Sequence, residues 1–217
     1  MKNRKAMVLL SGGLDSATCL YWAKNRFPFV YAITFNYKDR GKREKSAALE
    51  IAKNANITEM IELELPFIRE HLQLTSGKIM SEYDSRLAAY IPARNLMFYS
   101  IALYYAENLS ITSIIGGHNR HDAVFFKDAS KNYMQKLTRL FNEGSKMRHK
   151  ESKNIILPLS NMYRKKIIAL AVKLGVPIKL TWSCHNDGYT HCGSCYACVE
   201  RLQSFRSLGI NDPAFPV

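Results

Sequence analysis

No apolar run in this sequence approaches the ~20 residues that a membrane-spanning helix requires. The basic start Lys2-Asn3-Arg4-Lys5, followed by apolar residues, imitates a secretion signal, but the apolar part breaks at once into Ser11-Gly12-Gly13 and then Asp15. A cytoplasmic protein is expected. Internal repeats and low-complexity tracts are also missing, which leaves an ordinary globular chain. Acidic residues are scarce: 18 Asp+Glu against 31 Lys+Arg give a net charge of +13. Cysteine is sparse too, at five residues, yet four of them fall within fifteen positions.

What is present is a globular composition, 47% hydrophobic and 23% charged, over 217 residues. That is room for one domain with a full core and little room for a second. Much of the basic excess lies between Lys136 and Lys179, including Lys146, Arg148, Lys150, Lys153, Arg164, Lys165 and Lys166. No aromatic-rich RNA signature is interleaved with it, so a solvated rim that steers phosphate is preferred to an RNA-binding face.

The stretch Ser11-Gly12-Gly13-Leu14-Asp15-Ser16 organises the rest. Before it, Ala6 to Leu10 is short and continuously apolar, the pattern of a strand covered on both faces of a parallel sheet. After it, Ala17 to Lys24 has helical spacing. A turn that leaves a strand and opens a helix presents unpartnered backbone N–H groups and a partial positive charge, which suits an anion. The two glycines let backbone approach a ligand, and the Ser11 and Ser16 hydroxyls can donate to phosphate oxygens. A bare Asp15 carboxylate would repel phosphate unless Mg²⁺ lay between them. The plainer alternative is a Gly-Gly turn with an Asp or Ser helix cap. The loop is not Gly-x-x-x-x-Gly-Lys-Ser/Thr. It resembles instead the pyrophosphate-binding loop of the PP-loop ATP pyrophosphatases, which implies ATP as cofactor along Leu10-Ser11-Gly12-Gly13-Leu14-Asp15-Ser16-Ala17-Thr18-Cys19-Leu20.

Further on, strand and helix patterns alternate. Val30 to Phe35 reads as a second strand, Lys42 to Ala55 as a helix with Ala48, Ile51, Ala52 and Ala55 on one face, and Thr58 to Leu65 as a third strand with one wet face. Asn36 to Gly41, which includes Tyr37, follows a strand end where such sheets place ligand contacts. Leu74 to Tyr90 reads as a loop or flap. Pro92 suits the first turn of a helix running to about Asn108. Arg94 there opposes the helix dipole, which calls for an acidic partner or an anionic ligand. Ile111 to Ile115 is a fourth strand, and Gly117, His118, Asn119, His121 and Asp122 crowd its exit as candidate substrate contacts. Lys131 to Glu143 reads as a helix with Leu137, Leu140 and Phe141 inward. Asn154 to Pro158 is the fifth strand, with Ser160 or Asn161 capping a helix over Tyr163 to Leu174 and Gly175 closing it. The expected fold is α/β, a doubly wound, mostly parallel five-stranded sheet flanked by helices. Residues 1–180 form its core, and 181–217 a C-terminal four-cysteine segment of the same domain.

Cys184, Cys192, Cys195 and Cys198 follow C-x7-C-x2-C-x2-C, a spacing that turns four thiolates toward one centre. Zn²⁺ is preferred, an iron–sulfur cluster is the rival, and disulfides lack an oxidising compartment. A four-thiolate site is closed and structural. Cys19 reads as a small buried hydrophobe.

Taken together, Leu9 to Ser16, Ile91-Pro92-Ala93-Arg94-Asn95, Leu180-Thr181-Trp182-Ser183-Cys184, the Cys192 to Phe205 stretch with Arg201, and Asp212-Pro213 resemble the 7-cyano-7-deazaguanine synthases, the QueC family of the PP-loop superfamily. The resemblance implies an ATP- and Mg²⁺-dependent ligase that adenylates 7-carboxy-7-deazaguanine and uses ammonia to make the amide and then the nitrile. It also implies a structural Zn²⁺ and a homodimer. Asp15, Ser16 and Arg94 would be catalytic, and Tyr37, Arg94, Asn95, Gly117, Asn119 and Asp122 would meet substrate. Two departures stand out. The family's Gly-x-Asn-x-x-Asp-Tyr-Ser-Gly-Tyr-Pro-Asp-Cys survives only in fragments from Gly117 to Asp128, and its Tyr-Gly-Gln-Arg is here Tyr37-Lys38-Asp39-Arg40. Competing expectations are a paralogue that stops at the amide or makes a conjugate, a tRNA-modifying enzyme that adenylates a base, and a nucleotide-binding module without turnover.

Overall fold

A computed structural model describes residues 4–68, 90–145 and 151–215. Its centre is β1 (Lys5–Leu9), whose Ala6, Met7 and Val8 are fully buried. It pairs in parallel with β2 (Phe29–Asn36) on one side and β4 (Ser113–Ile115) on the other, so Met7 lies opposite both Tyr31 and Ile114. β3 (Glu59–Glu64) adds to β2 and β5 (Asn154–Ile156) to β4, which gives the parallel order β3-β2-β1-β4-β5. Chain direction across the sheet reverses between β1 and β4, and ligands of open α/β sheets bind at such a reversal, beyond the strands' carboxyl ends.

Strand alternation divides the core in two. Ala6 and Val8 face α1 (Leu14–Lys24), α2 (Lys42–Asn54), α6 (Arg164–Lys173) and α7 (Tyr196–Arg206), where Leu20, Ile51, Ile167, Ile168 and Phe205 pack. Met7 faces α3 (Arg94–Asn108) and α5 (Lys131–Gly144), with Tyr99, Leu103, Met134 and Leu137. Each large apolar side chain buried this way contributes about 1.5–3 kcal/mol. α1 lies close against the sheet because its inward positions are small: Ala17, Cys19 and Ala23 are fully buried. Asp15 in its first turn and Lys24 in its last suit the helix dipole.

Several local expectations are corrected. Leu140 points outward, 68% exposed, because α5 packs through the stripe of Met134, Leu137 and Phe141. Pro92 precedes α3, which starts at Arg94 after Ala93 takes a left-handed φ of 54°. Neither Ser160 nor Asn161 caps α6; Tyr163 holds that position without a side-chain bond. Gly175 does end α6, at φ 69°. Of the basic residues assigned to a solvated rim, Lys153 is buried and Arg164 is ion-paired, as described below, whereas Lys146, Arg148 and Lys150 lie outside the described residues. Most of the Leu74 to Tyr90 stretch also lies outside them. Between β4 and α5 the chain adds a short helix, α4 (Asp122–Phe125), and Ser130 caps α5 by accepting from the Tyr133 amide at 3.2 Å.

Candidate active site

A cavity of about 430 Å³ opens beyond the carboxyl ends of β1 and β4, a volume within the usual range for small-molecule sites. Its floor is the turn after β1. Gly12 sits at φ 101°, and a Cβ on it would strike the carbonyl oxygen of Glu44 and lie 2.9 Å from the Ala48 amide, so α2 can approach only a glycine. The Ser11 and Ser16 hydroxyls lie 3.0 Å apart, Ser16 Oγ donates to the Gly13 carbonyl at 3.0 Å, and the Gly13 amide donates to Ser11 Oγ at 3.3 Å. No side chain caps α1. Its first amides, at Leu14, Asp15 and Ser16, therefore meet the cavity without an intrahelical acceptor. α3 and α6 also begin without a side-chain cap, and their first residues, Arg94 and Arg164, line the same space. By contrast α2 is capped, by Asp187 from the cysteine segment.

Asp15 is the hub. Arg164 Nη1 lies 2.6 Å from its Oδ1, and Asn119 Nδ2 donates to its Oδ2 at 2.8 Å. Arg164 also faces Glu200 of α7 at 3.6 Å. Asn119 shapes the β4 exit as well: its Oδ1 accepts from the amides of His121 at 2.7 Å and Asp122 at 3.1 Å, while Asp122 Oδ2 accepts from the Asn119 amide at 3.0 Å. Gly117 brings that exit against α1, since a Cβ there would sit 3.0 Å from the Ser16 amide. His118 is left facing the cavity, its ring 5.7 Å from that of Tyr99. Burial, and then the Arg94 guanidinium, push His118 down to about 4, so it is neutral at pH 7. Burial pushes the fully enclosed Tyr99 phenol up. On the β2 side, Phe35 and Phe98 stack at 4.2 Å beside Tyr37. Arg40 donates to Thr34, Phe35, Asn36 and the Ser11 carbonyl, each at 2.8 or 2.9 Å. It is a structural tie of the loop.

Of the residues expected at a site, Leu10, Ser11, Gly13, Leu14, Asp15, Ser16, Tyr37, Arg94, Asn95, Gly117 and Asp122 line this cavity. Others do not. Ala17, Cys19 and Leu20 are core, Thr18 Oγ1 donates to the Leu14 carbonyl, and Asn119 is buried with its amide turned onto Asp15. Arg164 and Glu200 are among the polar lining residues that sequence reasoning missed, with Thr34 and Glu44. A signal for Arg164 existed: a cation in the first turn of a helix opposes the dipole, the same feature that singles out Arg94.

The cysteine segment forms the remaining wall. Trp182 and Ser183 line the cavity with Arg201, and the Trp182 amide donates to the Gly12 carbonyl at 2.9 Å. Arg201, 3% exposed, binds both carboxylate oxygens of the equally buried Asp212 at 2.5 and 3.0 Å and donates to Ser183 Oγ at 2.8 Å. The four sulfurs of Cys184, Cys192, Cys195 and Cys198 lie within 4.8 Å of one another. Cys184 and Cys195 are 4.0 Å apart, and Cys192 and Cys198 3.9 Å. A tetrahedral ion with bonds of about 2.3 Å sets its sulfurs about 3.8 Å apart, so the cluster is suited to holding a metal. Against the burial that would raise it, hydrogen bonds from Ser194 and the Cys195 amide bring the Cys192 thiol down to about 6. Cys19 stands apart, fully buried, with its Sγ 3.5 Å from the Gly116 carbonyl.

Comparison with known proteins places the chain in a family. The family model described as "Queuosine biosynthesis protein QueC" matches residues 5–209. A 7-cyano-7-deazaguanine synthase of Acaryochloris marina is 37% identical over 96% of this chain and 97% of its own length. One from Thermoplasma volcanium is 36% identical over 97% and 90%. Among solved structures, a predicted subunit of tRNA methyltransferase from Methanocaldococcus jannaschii superposes with a TM-score of 0.50 at 20% identity, covering 98% of this chain and 92% of that one, which speaks to the fold alone. With the loop after β1 and the four-cysteine segment both inside one full-length match, the chain belongs to the QueC family.

Proposed function

We propose that the protein is a 7-cyano-7-deazaguanine synthase acting in queuosine biosynthesis, with ATP as the activating nucleotide. The observation that supports this most is the meeting of Asp15, Arg164, Arg94 and the uncapped start of α1 in one cavity. The family membership and the names of the relatives point the same way. In this reading the α1 amides and the Ser11 and Ser16 hydroxyls hold the pyrophosphate end of ATP. Arg164 neutralises its charge, and Arg94 receives the substrate carboxylate. A carboxylate oxygen of 7-carboxy-7-deazaguanine attacks the α-phosphorus and pyrophosphate leaves. Ammonia then attacks the acyl carbon, AMP departs with that oxygen, and an amide remains. A second activation, on the amide oxygen, followed by loss of AMP and protons, gives the nitrile. The residues' task is positioning and charge neutralisation.

Mg²⁺ would share Asp15, the one carboxylate on the loop, with Arg164 and Asn119 through the oxygens' remaining lone pairs, and would supply further neutralisation of phosphate charge. Zn²⁺ is proposed for the four cysteines, because sulfurs 3.9–4.0 Å apart suit one tetrahedral ion and a four-iron cubane needs a wider cage. A cytoplasmic homodimer, with a small-molecule substrate favoured over RNA, completes the reading.

The test is incubation with ATP, Mg²⁺, ammonium and 7-carboxy-7-deazaguanine, with products identified by mass. AMP together with the nitrile is expected. AMP with only the amide would mark a paralogue with a shortened reaction, which the altered Ala123 to Phe126 segment would accommodate. Failure of the deazaguanine to stimulate ATP cleavage would overturn the proposal.

A further inference from the structure

The segment that carries the cysteines reaches the nucleotide loop by two routes. The direct one is the Trp182 amide, two residues before Cys184, which donates to the Gly12 carbonyl at 2.9 Å. The indirect one runs through Asp187, three residues after Cys184. Its Oδ2 accepts from the Lys42 amide at 3.0 Å and its Oδ1 from the Arg43 amide at 2.8 Å, which makes it the cap of α2 across 144 residues of chain. The carboxylate lies directly against the start of the helix, where a Cβ on Gly41 would be in ordinary contact with Asp187 Oδ1 at 3.4 Å. Arg43 strengthens the joint by donating to the Tyr189 carbonyl at 3.2 Å and lying over the Trp182 ring at 5.3 Å. α2 in turn sets the loop: the Glu44 carbonyl and Ala48 amide crowd Gly12, and Arg40, just before the helix, holds the Ser11 carbonyl.

A metal on Cys184, Cys192, Cys195 and Cys198 would fix the Cys184 to Cys192 turn, and that turn carries Asp187. We propose that Asp187 is a positioning residue through which metal occupancy and nucleotide binding in the cavity are coupled. The inference rests on the cavity being the nucleotide site. Ordering the turn once, for either ligand, lowers the cost for the other, and the coupling is reciprocal. Asp187 acts only through backbone and lies outside the cavity lining, so the reacting groups are untouched.

The experiment uses metal-loaded wild type, D187A and D187N, the last retaining one acceptor oxygen. The affinity for a non-hydrolysable ATP analogue with Mg²⁺ is measured by calorimetry, and metal release to a chromogenic chelator is timed with and without that analogue. The analogue is expected to slow metal release from wild type by about fivefold or more, the lower end of ordinary coupling. In D187A, affinity falls by a similar factor at unchanged metal content and the protection disappears, while D187N lies between. A helix cap with a purely structural role would leave the protection by nucleotide intact, and that result overturns the proposal. Equal analogue affinity in wild type and D187A overturns the coupling alone. No analogue binding to wild type overturns both the coupling and the nucleotide reading of the cavity.

Discussion

Arg164 and Asp15, 149 residues apart in the chain, meet as an ion pair at 2.6 Å on the floor of the cavity. The pair joins the first turn of α1 to the first turn of α6 and puts a cation where the proposed reaction releases pyrophosphate. Replacing Arg164 with alanine is expected to lower kcat/KM about a hundredfold or more, the scale of removing one preorganised charge stabiliser. Lysine at this position should restore part of it, since the charge returns without the fork. Steady-state AMP formation at saturating and limiting ATP reads both effects.

Gly12 tolerates no side chain. A Gly12→Ala variant has to move α2 or abandon φ 101°, with the Glu44 carbonyl in the path of its Cβ. The strain is about 1–3 kcal/mol, and nucleotide affinity should fall beyond detection by calorimetry while circular dichroism still reports a folded protein.

Asn119→Ala removes the bond to Asp15 and two turn bonds from a residue only 4% exposed. A loss of about 1–3 kcal/mol is expected from the buried groups left without partners, visible as a lower urea midpoint. A drop in kcat should accompany it as Asp15 loses one of its two holders.

Arg201 and Asp212 form the buried pair that anchors the C-terminal segment to Ser183 and the cavity wall. Breaking it from one side, as in Arg201→Ala, leaves a carboxylate buried without its partner and should cost about 3–5 kcal/mol. Limited proteolysis should then cut within residues 181–215 before the sheet, whereas wild type resists there.

His118 gives the native state a pH signature. Its pKa is lowered from the ordinary 6.5 to about 4, so between those values the unfolded chain takes up a proton that the folded one refuses. Stability therefore falls as pH drops from about 6.5 toward 4. A His118→Gln variant should show a shallower fall, by up to one proton in the slope of unfolding free energy against pH, measured by urea titration at half-unit steps.

The turn after β1 and the cysteine spacing were legible in the sequence because both are local. Ser11 to Ser16 and Cys184 to Cys198 are contiguous or nearly so, and their chemistry follows from turn geometry and ligand spacing alone. The alternation of strand and helix was legible for the same reason: Ala6 to Leu10 and Ala48, Ile51 and Ala52 each carry the period of their own element. Leu140 shows the limit, since helical period admits both Met134 and Leu140 and only the packing of α5 on β4 and β5 selects the first. Arg164, Glu200 and the cap from Asp187 were decided by tertiary structure. A side chain's partner across 104 or 149 residues is set by how the strands order themselves, and that order places β4 rather than β2 beside the start of α6. By itself the sequence determined which backbone turns can hold an anion and a metal; the sheet decided which charges meet there, because distance in space between far segments is fixed only when the whole core packs.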